Sequence, residues 1–229
     1  MIPTKKTSSP ARIARFRWIP RLFFMAGALA LGYVAFTVLN ARLYQVSAKR
    51  YLESQIRAEP EHIDSRPRPV FKNGDVLGRM DIERLGMSVA VLQGTDWRTL
   101  RLGAGHVKGT PLPGEPGNIG IAGHRDTFFR GLKDIRENDE IQLQTASGLF
   151  HYEVDWVKVV DPDETAVLEP STNDSMLTLV TCFPFYFIGP APKRFVVRAH
   201  LTSVSQPGSL SPKSNVRQPR SKFRLRNDT

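Results

Sequence analysis

Between Arg21 and Asn40 the chain runs for eighteen residues, Leu22 to Leu39, without a single charge. As a helix, a stretch of that length rises roughly 27 Å, enough to cross the hydrocarbon core of a bilayer. It has no polar stripe with which to lie on a soluble core, so burial inside a globular domain fits it poorly. A cleaved secretion signal competes, because Ala28-Leu29-Ala30 has the small-x-small form of a cleavage site. The apolar run continues for nine residues past that point, which favours a retained transmembrane anchor over residues 22–40. Lys5, Lys6, Arg12, Arg15, Arg17 and Arg21 precede the span, against Arg42, Lys49, Arg50 and Arg57 after it. That imbalance predicts a single-pass protein of the cell membrane, with residues 1–21 as a cytoplasmic basic tail and the rest outside.

The net charge of +10 raises the question of nucleic acid, and its distribution answers it. The excess is crowded into the N-terminal tail and into Lys213, Arg217, Arg220, Lys222, Arg224 and Arg226 at the other end. Basic ends around a nearly neutral middle suit a membrane protein, and no nucleic-acid partner is expected. Residues 204–229 lack the apolar content to fold and read as a basic disordered tail. That tail is either a solvated extension or an electrostatic contact with an anionic envelope surface. Residues 41–58 form a polar, proline-free stretch able to continue as a juxtamembrane helix. Pro60, Pro67 and Pro69 then predict a stiff spacer, completing a 41–75 connector that holds the domain off the membrane.

The folded domain, 76–203, reads as mostly β. Strands are expected over Asp75–Ile82, Met87–Leu92, Ile119–Gly123, Glu140–Gln144, Phe150–Val160, Met176–Cys182 and Arg194–Leu201. Trp97 leads a helical turn into a glycine-rich loop, Gly103-Ala104-Gly105-His106, and Thr110–Asn118 is a proline- and glycine-rich loop. Asp126 is positioned to cap a helical turn through Leu132. In the fifth of these strands Tyr152, Val154 and Trp156 alternate, and then Val157 and Val159 change phase, the mark of a β-bulge. About eight short strands in so few residues predict a closed barrel or a sandwich.

Chemistry concentrates at Thr178-Leu179-Val180-Thr181-Cys182. Cys182 is the only cysteine, so it has no disulfide partner within the chain. It ends an apolar run at the edge of a proline-rich loop, and Arg194 opens the returning run twelve residues later. A thiol and a guanidinium at neighbouring strand ends face the same patch of surface. His124 ends another short strand, Ile119–Gly123, and supplies a base. A thiolate attacking an amide carbonyl creates an oxyanion and a leaving amine; cysteine, arginine and histidine answer those needs in turn. His106 is the competing histidine, placed in the glycine-rich loop where it can line a groove; His62, His151 and His200 read as surface or strand positions.

Thr-Leu-Val-Thr-Cys, the arginine before the next strand, and Asn118-Ile119-Gly120-Ile121-Ala122-Gly123-His124 upstream together resemble the sortases, cysteine transpeptidases of bacterial surfaces. The resemblance runs from about Val76 to Leu201. It implies an eight-stranded sortase-type β-barrel, Cys182 as acyl-thioester carrier, His124 as acid and base, and Arg194 as transition-state stabiliser. It also implies that Thr181 contacts substrate. The implied partners are secreted proteins with a C-terminal sorting signal of the L-P-x-T-G type, cut after the threonine. The acyl group then passes to an amine of a peptidoglycan precursor or of a pilin lysine. The short loop carrying Phe183-Pro184-Phe185-Tyr186 and Ala191-Pro192-Lys193 most resembles class D.

Other classes remain in view. An L,D-transpeptidase would carry serine-histidine-glycine before its cysteine, where Val180-Thr181 stands here. A hydrolytic cysteine endopeptidase of the envelope would use the same acyl-enzyme and release it to water. A non-catalytic envelope-binding module would not need the thiol. No cofactor is expected and no metal site is evident. Glu137, Asp139 and Glu140, and Asp161, Asp163 and Glu164, could bind calcium as some sortase loops do, but read as solvated turns.

Overall fold

A computed structural model of the chain describes residues 18–58, 70–170 and 174–205. Its first element, α1 (Trp18–Ala58), is a single helix of 41 residues. Pro20 falls in its first turn, where the missing N–H has no intrahelical partner to lose. Among the described residues, nothing else covers the apolar stretch. Leu22, Phe23, Phe24, Leu29, Leu31 and Phe36 are all exposed, an arrangement stable only in an apolar surround. By length and composition this helix fits a single-pass membrane anchor.

Its second half has a different environment. Ala48 and Leu52 are buried, and Ala48 joins Ala90 and Leu92 in a small apolar cluster against the domain. Tyr44 donates its hydroxyl hydrogen to the Gly74 carbonyl at 3.2 Å. The Gln45 side chain accepts from the Ala90 amide at 2.8 Å and donates to the Leu102 carbonyl. The connector therefore docks its helix on the domain before reaching the prolines. The expected spacer at Pro60, Pro67 and Pro69, and the tails 1–17 and 206–229, lie outside the described residues.

The domain is a closed barrel of eight strands in the order β1-β2-β3-β4-β7-β8-β6-β5. In sequence these are β1 (Val76–Ile82), β2 (Met87–Gln93), β3 (Ala104–His106), β4 (Asn118–Gly123), β5 (Glu140–Thr145), β6 (Leu149–Val160), β7 (Met176–Phe183) and β8 (Lys193–Ser205). Between β2 and β3 lies the short helix α2 (Trp97–Leu102), whose first turn is capped by Asp96 accepting from the amides of Arg98 and Thr99. The β2–β3 and β4–β7 pairs are parallel and the others antiparallel. The inward positions Met80, Ile82, Val91, Ile119, Ile121, Leu143, Tyr152, Leu177, Leu179 and Val197 form one continuous core.

Two sequence expectations change, and one, the bulge, is met. His106 is not in a loop: Gly105 and His106 belong to β3, held between Leu92 and Gln93 of β2 and Ile121 and Ala122 of β4. A three-residue strand carrying a glycine is too short to show alternation, so nothing local announced it. Asp126 caps no helix; a 3-10 turn begins at Arg130 with no side-chain cap. The bulge in β6 is present, with Val154 opposite Ala199 and Trp156 opposite Arg198, so Asp155 is the extra residue. Of the acidic residues considered for calcium, Asp139 is ion-paired with Arg84, whose guanidinium holds the carboxyl below its usual range. Glu140 meets His151 at 2.6 Å.

Candidate active site

Strand pairing brings three of the candidate residues, Cys182, Arg194 and His124, to one end of the sheet. In the β7–β8 ladder Cys182 stands directly opposite Arg194. Residues so placed project from the same face of a sheet, with Cβ atoms about 5 Å apart. In the parallel β4–β7 ladder Gly123 pairs with Thr181, so His124 leaves β4 at the level where Cys182 follows along β7. Cys182 is half-buried and unpaired, and His124 is exposed. Arg194 turns one guanidinium nitrogen back on its own loop: Nη1 donates to the carbonyls of Ala191 at 3.2 Å and Lys193 at 3.0 Å. A guanidinium carries five N–H donors, so the fork retains hydrogens for an oxyanion.

The backbone around His124 is set by a glycine. A Cβ on Gly123 would lie 2.8 Å from ring carbons of Phe129, so only glycine lets that buried ring close on the strand end. The His124 carbonyl accepts from the Phe129 amide at 3.0 Å, which folds the following segment back under the histidine. Asp126 makes no bond to the imidazole among the described residues.

Thr181 and His106 differ from expectation in what they touch. The Thr181 side chain is buried and its hydroxyl donates to the Gly123 carbonyl at 2.7 Å, pinning β7 to β4 one residue before the thiol and the imidazole. His106 is 2 % exposed. Its Nδ1 lies 2.9 Å from the Gln93 side-chain amide and its Nε2 2.9 Å from the Pro111 carbonyl, which can only accept a proton. Thr110 adds a third contact at 3.1 Å. Burial pushes this imidazole below the ordinary histidine range, with Glu115 opposing in part. Neither side chain is open to a ligand.

Strand parity shows what surrounds the thiol. Alternate residues face outward, so Cys182 shares its face with Val180 and Thr178 on β7, and His124 continues the row of Ala122 and Gly120 on β4. Ala122 and Val180 are only partly covered and make a shallow floor leading to Cys182. The far end of that floor is closed by the 3-10 turn Thr165–Leu168, where Leu168 lies 2.9 Å from where a Gly120 Cβ would stand. The turn is held through its backbone. Asn118 donates to the carbonyls of Val167 and Glu169, each at 3.1 Å, and Arg198 donates to Val167 at 2.7 Å. Asn118 is itself oriented by the Thr178 hydroxyl at 2.6 Å. Sequence reasoning missed Asn118 and Arg198. The one available signal was a fully buried-type strand, Asn-Ile-Gly-Ile-Ala-Gly, opening on an amide.

A thiol, an imidazole and a guanidinium thus stand at one end of the partly covered Ala122–Val180 surface. Residues 80–202 match the family model described as a sortase domain. The chain is 30 % identical over 188 residues to Sortase D of Bacillus subtilis, covering 78 % of this chain and 95 % of that protein. Among solved structures it resembles a Clostridium perfringens Sortase D5 transpeptidase, with a TM-score of 0.57 and 28 % identity over 71 % of this chain and 98 % of the other. It also resembles a sortase from Actinomyces oris, with a TM-score of 0.56 and 26 % identity over 69 % and 97 % of the two chains.

Proposed function

Because the chain belongs to the sortase family of cysteine transpeptidases, we propose that Cys182, His124 and Arg194 cleave a sorting signal and pass the new carboxyl end to an amine. The substrate is a secreted protein carrying an L-P-x-T-G-like motif. The Cys182 thiolate attacks the carbonyl of the motif's threonine, and the negative charge developing on oxygen faces the Arg194 guanidinium. His124 gives a proton to the leaving amine as the carbon–nitrogen bond breaks, which leaves a thioester on Sγ. An incoming amine, from a peptidoglycan precursor or a pilin lysine, loses its proton to His124 as it attacks that thioester, and the carbon–sulfur bond breaks to free the thiolate. The residues N-terminal to the cut lie along the Ala122–Val180 floor towards Leu168. The helix α1 anchors the enzyme with its N-terminus in the cytoplasm and the barrel outside.

The observation that carries this reading is the strand register, which sets Cys182 opposite Arg194 and ends β4 so that His124 leaves it at the level where Cys182 follows along β7. The test uses the whole chain in detergent micelles, because α1 is packed on the barrel. The protein and its Cys182→Ala variant are mixed with L-x-x-T-G and L-x-x-T-A peptides, and intact mass is followed with and without an added amine. A thioester adduct on the cysteine form alone, converted to amine-linked peptide, is the expected result. An adduct that only hydrolyses whatever amine is present would make the protein an endopeptidase. No adduct with any peptide would favour a binding module.

A further inference from the structure

The loop joining β7 to β8 carries the thiol at one end and the guanidinium at the other, and its two halves are held differently. The first half is wedged into the core. Phe185 packs edge-on against Phe195 with ring centroids 5.1 Å apart, and against Phe183 at 6.2 Å. The second half carries an exposed apolar tip, with Ile188 97 % and Tyr186 72 % exposed, and has no such wedge. What holds it is Arg125, the residue after His124. Its Nη2 donates to the Phe187 carbonyl at 2.8 Å and the Gly189 carbonyl at 3.1 Å, and its guanidinium carbon lies 5.9 Å from the centre of the Phe187 ring. Arg130, on the 3-10 turn that follows, approaches the Tyr186 ring at 6.0 Å. Gly189, at φ 108, turns its carbonyl back to this grip in a conformation that favours glycine.

We infer that Arg125 is a positioning residue for the transpeptidase site: it ties the Cys182–Arg194 loop to the segment bearing His124, so that all three reactive groups share one rigid frame. The inference rests on the reading of the site given above. Without the tether the second half keeps only the Arg130–Tyr186 contact, and the Ala191 carbonyl on which the Arg194 guanidinium rests shifts with it, so that the guanidinium, though not its strand, loses its aim relative to the histidine. Lysine cannot substitute fully, because an ammonium could reach the two carbonyls that Nη2 meets but lacks the planar guanidinium that also lies over the Phe187 ring.

The test compares the full chain with Arg125→Ala and Arg125→Lys in micelles. Chymotryptic cutting after Tyr186 and Phe187 should speed up by about tenfold or more in Arg125→Ala, because such cutting follows the population of the opened loop. The melting temperature should move little. Peptide turnover should fall by roughly 10²-fold, as misplacement of a catalytic group does, while alkylation of Cys182 by iodoacetamide stays within twofold of the parent. Arg125→Lys should fall between the two. Cutting unchanged within twofold in a folded Arg125→Ala would overturn the inference, as would peptide turnover equal to the parent's. Should Arg125→Ala not fold, Arg125→Lys decides by the same readouts. If the parent chain forms no thioester with any peptide, the proposed function fails, and the cutting rates still decide whether Arg125 holds the loop.

Discussion

His106 is enclosed so completely that its ring nitrogens meet only Gln93, Pro111 and Thr110. Burial keeps it from taking a second proton as readily as a histidine in the unfolded chain, whose ordinary value is 6.5. The sign follows: the unfolded chain binds that proton first, so the stability is fully present above 6.5 and is lost as pH falls below it towards the folded value. Thermal melts taken between about pH 7.5 and about pH 5 should show a falling midpoint, and His106→Gln should be less stable but flatter over that window. Equal slopes in the two proteins would remove His106 as the cause. The same residue shows what residue types alone can reveal. Cys182, His124 and Arg194 drew notice because their side chains do chemistry that few others can. His106 has the same chemistry, and only the walls around it separate it from a site residue.

Elements were legible where they repeat and obscure where they are short or paired at a distance. The alternation of Tyr152, Val154 and Trp156 marked both β6 and the bulge at Asp155, because a phase slip is a local signal. β3 gave none, being three residues long and paired in parallel with a strand reached only through α2. The tethers were equally silent. Asn118, Arg125 and Arg198 bond to backbone carbonyls from 31 to 64 residues away, and a carbonyl leaves no trace in a sequence. Gly123 is where the end of β4 depends on a missing atom. Gly123→Ala would drive a methyl group into the Phe129 ring, at a cost of about 1–3 kcal/mol. Melting should fall accordingly, and thioester formation should drop further than stability alone explains, because His124 is the next residue. A variant that melts and acylates like the parent would show that the Phe129 ring can move aside.

Across the whole molecule the anchor and the barrel are one body. The Gln45 amide bridges the Ala90 amide on β2 and the Leu102 carbonyl at the end of α2. Gln45→Ala strips both partners, and two lost bonds of this kind should cost about 1–3 kcal/mol in the full chain. Melting in micelles measures it; no change would mean that α1 and the barrel are energetically independent. The sequence suggested a helix here, but its polar character concealed the docking. Tyr44, Gln45 and Ala48 are too few and too mixed to look like an apolar face.

Gln45, the first residue of the helix bonded to a barrel strand, stands six positions past Leu39, the end of the uncharged run. In a continuous helix that is a rise of about 9 Å, comparable to the headgroup layer of a bilayer. With α1 in lipid, the enzyme is a turret rather than a ball on a chain. It can slide and spin in the plane, but its thiol patrols a single altitude. Selection among surface proteins would then have a geometric component beside the chemical one. A sorting motif carried on too short or too long a stalk would pass beneath or above the cutting level, however well its side chains matched the groove.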